Sequence, residues 1–236
     1  KTAPHGSSMA PNGSEMDGSD LTGDNTVVIP FEARSSFAIV GPTKSGKTYW
    51  VYKFLQQKLF DKDEPTKILY CYGAYQDLFL DMERNIPGIE FHEGLPTEQK
   101  LQAFADGQHQ LVILDDVMTE MMKDSKIEQL FTQKVHHLNL SCVYLWQNLL
   151  PQGKTARTVA LNTTYYVLFR HMRGLDQIKK LGQQLGMSKW MEDIYQDCLS
   201  KPYAYLVVDL SPTSDDRFRL RTNVFRGEDP IVYQKL

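Results

Sequence analysis

Eight consecutive residues, Gly41-Pro42-Thr43-Lys44-Ser45-Gly46-Lys47-Thr48, have the types and spacing needed to hold a polyphosphate. They fit G-x-x-x-x-G-K-[ST], in which the two glycines let the backbone curl until its N–H groups face phosphate oxygens. A helix that starts here adds the favourable end of its dipole. Lys47 then reaches the β and γ phosphates, and Thr48 offers a hydroxyl to Mg2+. Pro42, Thr43, Lys44 and Ser45 complete the nucleotide-holding loop; the pattern does not specify Lys44, whose charge reads as a solvated one. A second run, Leu111-Val112-Ile113-Leu114-Asp115-Asp116, ends an apolar strand in paired carboxylates roughly 70 residues further on. Asp115 is placed to hold Mg2+, directly or through water, and Asp116 to orient and deprotonate an attacking water. Taken alone, Asp-Asp after a strand serves equally well as a turn and helix cap; beside the phosphate loop, the chemical reading gains weight. A third run, Cys142 to Asn148, brings Gln147 to a strand end, where its amide can sense the γ phosphate or the water, or simply cap the next turn.

The elements that must position these groups follow from hydropathy. Short apolar runs alternate with amphipathic stretches from Val27 onward, the pattern of an α/β fold with a mostly parallel sheet covered by helices on both faces. The runs predict strands over 37–40, 68–72, 111–114, 142–146, 165–169 and 203–209, as continuous apolar segments of central strands do. Helices are predicted over 47–60, 76–85, 97–105, 126–136, 176–185 and 188–199, with Gly186 separating the last two. Residues 1–25 are rich in Gly, Ser, Asp and Asn and read as a flexible tail, with HGSSM resembling an expression scar and Met9 a start. Residues 26–236 then form one domain.

Composition narrows the class. The chain has 236 residues, with Lys+Arg 26 against Asp+Glu 29 and a net charge of -3, which excludes a strongly basic nucleic-acid coat. Three scattered cysteines do not make a disulfide framework, and the expectation is reduced thiols. No apolar stretch reaches the roughly 18 to 20 residues that span a bilayer. The expected setting is soluble and intracellular, in cytoplasm or nucleus. His136, His137 and Cys142 lack the spacing of a zinc site, and no G-x-S-x-G nucleophile motif is present.

The GPTKSGKT loop (Walker A), the LVILDD strand, which looks like a Walker B motif, and the YLWQN strand together resemble the FtsK/HerA group of P-loop ATPases. Within it the chain is most similar to viral genome-packaging ATPases of poxvirus type, also carried by Polinton-like and adintovirus-like elements. VHHLNLSCVYLWQNLLPQGKTARTVALNTTYYVLFR and PYAYLVVDLSPTSDDRFRLRT extend the likeness over nearly the whole chain from Phe31 to Phe225. The resemblance implies a RecA-like core in a hexameric or pentameric ring that hydrolyses ATP with Mg2+ and pumps double-stranded DNA into a capsid. Virion association and capsid or portal partners follow from the same likeness. The group often has Glu as its base where this chain has Asp116; Asp-Asp pairs also occur among its viral members.

A ring ATPase of this kind usually takes an arginine from the neighbouring subunit. The order of preference here is Arg170, at a strand end, then Arg157, in the loop after the sensor strand, then Arg173; each also reads as a solvated charge. The stretch 152–180 holds Lys154, Arg157, Arg170, Arg173, Lys179 and Lys180 against Asp176 alone, and is where non-specific DNA contacts are expected. Loops 119–126 and 151–157 are the pore-loop candidates. Two other readings compete: a small P-loop kinase or nucleotide switch, and a nucleotide-dependent assembly module without motor activity. Against the first stand the missing Asn/Thr-Lys-x-Asp motif and Arg-rich lid; against the second stand the intact Lys47, Thr48, Asp115 and Asp116.

Overall fold

The computed structural model describes residues 28–117, 138–149, 154–171, 174–188 and 190–234. The tail 1–25, the predicted helix 126–136, the loop 119–126, His136, His137 and Arg173 lie outside the described residues, as does part of the loop 151–157. Among the described residues nine strands form one sheet, in the order β3-β2-β4-β5-β1-β6-β7-β8-β9. These are β1 Ser36–Val40, β2 Ile68–Tyr72, β3 Ile89–Glu93, β4 Gln110–Asp115, β5 Leu140–Trp146, β6 Tyr165–Phe169, β7 Tyr205–Asp209, β8 Leu220–Thr222 and β9 Ile231–Tyr233. The six strands β3 to β6 in that order run parallel, and β7, β8 and β9 continue the sheet antiparallel.

Strand side chains alternate between two faces, and each face is covered. On one face Phe37, Ile39, Tyr70, Ile113, Val143 and Val167 pack under helix α1 (Lys47–Gln57) and α2 (Leu78–Asn85), through Trp50, Phe54, Phe79 and Met82. On the other, Ala38, Val112, Leu114, Tyr144 and Leu168 pack under α3 (Glu98–Phe104), α4 (Lys154–Leu161), α5 (Leu175–Gln184) and α6 (Met191–Cys198). All three cysteines are buried and free. No helix among the described residues is long and apolar enough to cross a membrane.

Beyond shifts of one to three residues at element ends, the structure departs from the sequence reading in four places that bear on the site or the sheet. The strand predicted over 203–209 starts at Tyr205 and is antiparallel. Its direction follows from its connection: β6 is followed by two helices rather than one, so the chain is returned to the edge it left, and β7 must run back down the sheet. Arg157, expected in a loop, is exposed on the eight-residue helix α4. Strands β3, β8 and β9 were not expected. Helix α1 ends at Gln57 rather than at residue 60, where Lys58 turns left-handed at φ 50.

The antiparallel extension is tied by a buried ion pair. Arg221 Nη1 donates to Asp209 Oδ2 at 2.9 Å and to the Phe218 carbonyl at 2.7 Å, with Arg221 only 1% exposed. Its guanidinium also lies 5.0 Å over the Phe31 ring, which bridges β8 to the start of the domain.

Candidate functional site

Parallel strands deliver their carboxyl ends to one edge, and in open α/β sheets ligands bind there. The strand order matters: β5 lies between β1 and β4, so the turns after all three converge. The phosphate loop leaves β1, Asp115 and Asp116 end β4, and Gln147 follows β5. The amide of Gly41 donates to the Trp146 carbonyl at 3.0 Å, which joins the loop to the strand carrying Gln147.

The loop's curl is built into its residues. A side chain at Gly41 would lie 2.7 Å from both Phe169 Cβ and Ser45 Oγ, so only glycine fits. Lys44 and Gly46 have φ 65 and 103 while Ser45 between them does not share that hand, and such alternation points successive backbone N–H groups inward as an anion-holding nest. Gly46 is also the N-cap of α1, whose first turn supplies the dipole. Lys44 thus shapes the loop through its backbone, a role its undistinguished side chain gave no hint of.

Thr43, Lys44, Ser45, Gly46, Lys47 and Thr48 line a cleft of about 460 Å3 together with Asp115, Asp116 and Gln147. Gly41 and Pro42 contribute their carbonyls: Lys47 Nζ donates to them at 2.8 and 2.9 Å. The ammonium is half-buried, and burial lowers its pKa while the charges of Asp115 and Asp116 oppose that shift. A triphosphate would replace two neutral carbonyls with anionic oxygens, which favours the charged lysine. Asp116 is exposed and left-handed at φ 59, a conformation that Asp tolerates better than most residues. Gln147 is exposed at the mouth.

Asp115 is the most constrained group, at 6% exposure. Its Oδ2 accepts from Tyr70 OH at 2.8 Å, from Thr48 Oγ1 at 3.3 Å and from Gln76 Nε2 at 3.3 Å. Burial raises its pKa; the Tyr70 hydrogen bond, the Lys47 charge and the Thr48 hydroxyl counter the rise. A carboxylate and a hydroxyl this close are hard oxygen donors of the kind Mg2+ takes, and the residues present therefore fit that ion.

Tyr70 and Gln76 were not singled out by the sequence. Tyr70 sits in a strand of otherwise core-forming residues and reads as packing, yet a tyrosine in a fully buried strand needs a partner for its hydroxyl, and that requirement is the signal. Replacing Tyr70 with Phe removes the strongest hydrogen bond that keeps Asp115 ionised. The expected result is a turnover profile whose acid limb moves to higher pH, because activity is lost as falling pH protonates Asp115. Turnover near pH 8 should change little, and the fold should lose about 1 kcal/mol, as one buried hydrogen bond contributes. An unshifted acid limb in Tyr70→Phe would assign Tyr70 to packing alone.

The arginines fall elsewhere. Arg170 is exposed just past β6, at the same edge of the sheet, and Arg157 is exposed on α4; neither lines the cleft within one chain. In the basic stretch, Lys179 is paired with Glu192 at 3.2 Å, which reduces the charge available there.

No protein-family model matches the sequence, and no curated protein does. Among solved structures, the chain is similar to the genome packaging NTPase B204 from Sulfolobus turreted icosahedral virus 2. Against its complex with ATP-gammaS the identity is 13% and the TM-score 0.50, over 86% of this chain and 98% of that one. Against its complex with AMPPCP the identity is 12% and the TM-score 0.50, over the same shares. At such identities the likeness is one of fold, an α/β P-loop NTPase core with a mostly parallel sheet.

Proposed function

We propose that this chain is an ATPase that drives double-stranded DNA into a capsid, packaging a viral or mobile-element genome as a homo-oligomeric ring. The observation that carries the nucleotide chemistry is the convergence of Lys47, Thr48, Asp115, Asp116 and Gln147 on one cleft at the carboxyl edge of the sheet. The shared fold with a packaging NTPase whose solved structures hold ATP analogues supports the same reading, as does the sequence's resemblance to packaging ATPases of the FtsK/HerA group.

In this reading Lys47 leaves the Gly41 and Pro42 carbonyls for the β and γ phosphates, while the loop amides hold the remaining oxygens. Thr48 and Asp115 would hold Mg2+, which when bound spreads the charge that develops during phosphoryl transfer. Asp116 accepts the proton of the attacking water, and Gln147 orients that water. Arg170, or failing it Arg157, reaches the phosphate from a neighbouring copy, since neither lines the cleft of its own chain. Lys154, Lys180 and whichever of Arg157 and Arg170 does not reach the neighbouring nucleotide contact DNA phosphates without reading sequence. Such a motor works where capsids assemble, in the host cytoplasm or nucleus or on the virion.

The test is steady-state ATP hydrolysis with and without linear double-stranded DNA at two salt concentrations, with oligomeric mass measured on the same samples. DNA should stimulate turnover of a ring-sized species, less so at higher salt because binding releases counterions. A persistent monomer that binds nucleotide and ignores DNA would replace the motor with a switch or an assembly module.

A further inference from the structure

We propose that a second, aromatic pocket beside the phosphate cleft receives the purine base of the nucleotide, and that Tyr203 selects for it by stacking. This rests on the nucleotide reading above and concerns a part of the molecule that reading does not use. The pocket has a volume of about 400 Å3, within the roughly 300–1,000 Å3 range of small-molecule sites. It shares Gly46, Tyr49 and Tyr203 with the phosphate cleft, so the two are continuous. A ligand with its phosphates on the loop and a flat apolar group a few ångströms away would fill both.

The pocket's walls are built for such a group. Gly46, Tyr49, Trp50 and Lys53 recur at the spacing that places residues on one face of a helix, so the wall runs along α1 away from the phosphate loop. Trp50, Phe169, Tyr205 and Phe225 are buried and form the floor, whereas Tyr49 and Tyr203 at the mouth are 57% and 70% exposed. Large aromatic rings left open at a cavity mouth offer stacking surface. Tyr203 is also held at φ 61, an uncommon backbone state for a bulky residue and one that recurs at ligand sites. Its ring edge is 3.3 Å from where a side chain at Gly46 would begin, so the glycine that shapes the loop also admits the tyrosine. The α5–α6 hairpin explains how it arrives there: by returning the chain to the carboxyl edge, it sets the residues before β7 against the phosphate loop.

The charged groups of the pocket, Lys53 and Glu228, are already engaged with each other, whereas Trp50 Nε1 is buried without a hydrogen-bond partner among the described residues. Lys53 Nζ is 2.8 Å from Glu228 Oε1 and 4.2 Å from the Phe225 ring centre, and Tyr205 OH donates to Glu228 Oε2 at 2.8 Å. They brace the pocket rather than read a hydrogen-bond pattern. Stacking on Tyr203 does not separate adenine from guanine, so the two purines should bind alike, and the smaller pyrimidine ring more weakly.

The experiment is calorimetric binding of the full chain, with Mg2+, to the methylene-bridged analogues of ATP, GTP and CTP and to inorganic triphosphate. The two purine analogues should bind about tenfold tighter than triphosphate, the order of effect that stacking of one base on an aromatic ring supplies. Tyr203→Ala should bring that ratio close to one, and Tyr203→Phe should preserve it. A purine advantage that survives Tyr203→Ala, or a CTP analogue that binds as tightly as the ATP analogue, overturns the proposal. Triphosphate binding with no purine advantage in the parent chain removes the base pocket and leaves the nucleotide reading standing. Failure of every phosphate probe to bind removes both.

Discussion

Lys47→Ala is expected to abolish ATP turnover and to weaken binding of a non-hydrolysable ATP analogue by a hundredfold or more. The ammonium is held at 2.8 and 2.9 Å by the Gly41 and Pro42 carbonyls, which fixes it at the lip of the loop where the β and γ phosphates would lie. Charge-assisted hydrogen bonds contribute roughly 1.5–3 kcal/mol each, so two of them correspond to about two decades or more of affinity. The loss compounds at Asp115, since Lys47 is one of the charges that keeps that buried carboxylate ionised. Without it the carboxyl protonates at a higher pH, and its grip on Mg2+ weakens. The fold itself should survive: alanine is the best helix former, the site is the first residue of α1, and Asp115 keeps its hydrogen bonds from Tyr70, Thr48 and Gln76. Calorimetric binding, with thermal unfolding of the same protein as control, separates the two effects. Unchanged affinity in a folded Lys47→Ala protein would remove Lys47 from the phosphate site and undermine the cleft as a nucleotide site.

Much of this site is legible in the sequence because its parts are short and locally encoded. An apolar run that ends in glycine, lysine and threonine can be read without knowing the neighbours, and so can one that ends in two acids. What cannot be read locally is which strand lies beside which. The insertion of β5 between β1 and β4 brings Gln147 into the cleft, and nothing in Cys142–Asn148 alone states that position. Tyr70 meets Asp115 because β2 pairs with β4, with Tyr70 opposite Ile113 and Asp115 two residues further along the same face. Strand β3 escaped notice because Ile-Glu-Phe-His-Glu, at the sheet edge, is partly exposed throughout and mixes charge with apolar residues. Strands β8 and β9 have three residues each, too few to show a period. Helix α4 follows Pro151 and Gly153, residues that read as a loop, and Arg157 was misplaced with it. Tyr203 was read as the first residue of a strand, because neighbouring Tyr205 to Val208 set the pattern; its left-handed backbone is imposed by the turn out of α6 and by its place against Gly46.

Asp116→Asn separates binding from chemistry more sharply than any other change in the cleft. The two adjacent carboxylates differ in almost every physical respect. Asp115 is buried, accepts three hydrogen bonds on one oxygen and lies 3.3 Å from the Thr48 hydroxyl, as a metal-holding group should. Asp116 is exposed, has its backbone turned left-handed by the end of β4, and faces the same cleft, where a water can approach it. Asparagine has the same shape as aspartate and tolerates the left-handed region at least as well, so the turn and the fold should be unchanged. It cannot accept the proton of the attacking water. Turnover should therefore fall by about 10²–10⁴-fold, the contribution of a positioned general base. Affinity for ATP and Mg2+ should hold or tighten slightly, because a negative charge beside the triphosphate is gone. Asp115→Asn should behave differently, losing Mg2+-dependent binding along with turnover. Asp116→Glu places the same base on a longer arm, and should recover part of the activity that the amide loses. Single-turnover hydrolysis with saturating protein, run beside equilibrium binding, reads both quantities for each variant. If Asp116→Asn hydrolyses ATP at the parent rate, the base is another group, and Gln147 becomes the residue that must orient water without taking its proton.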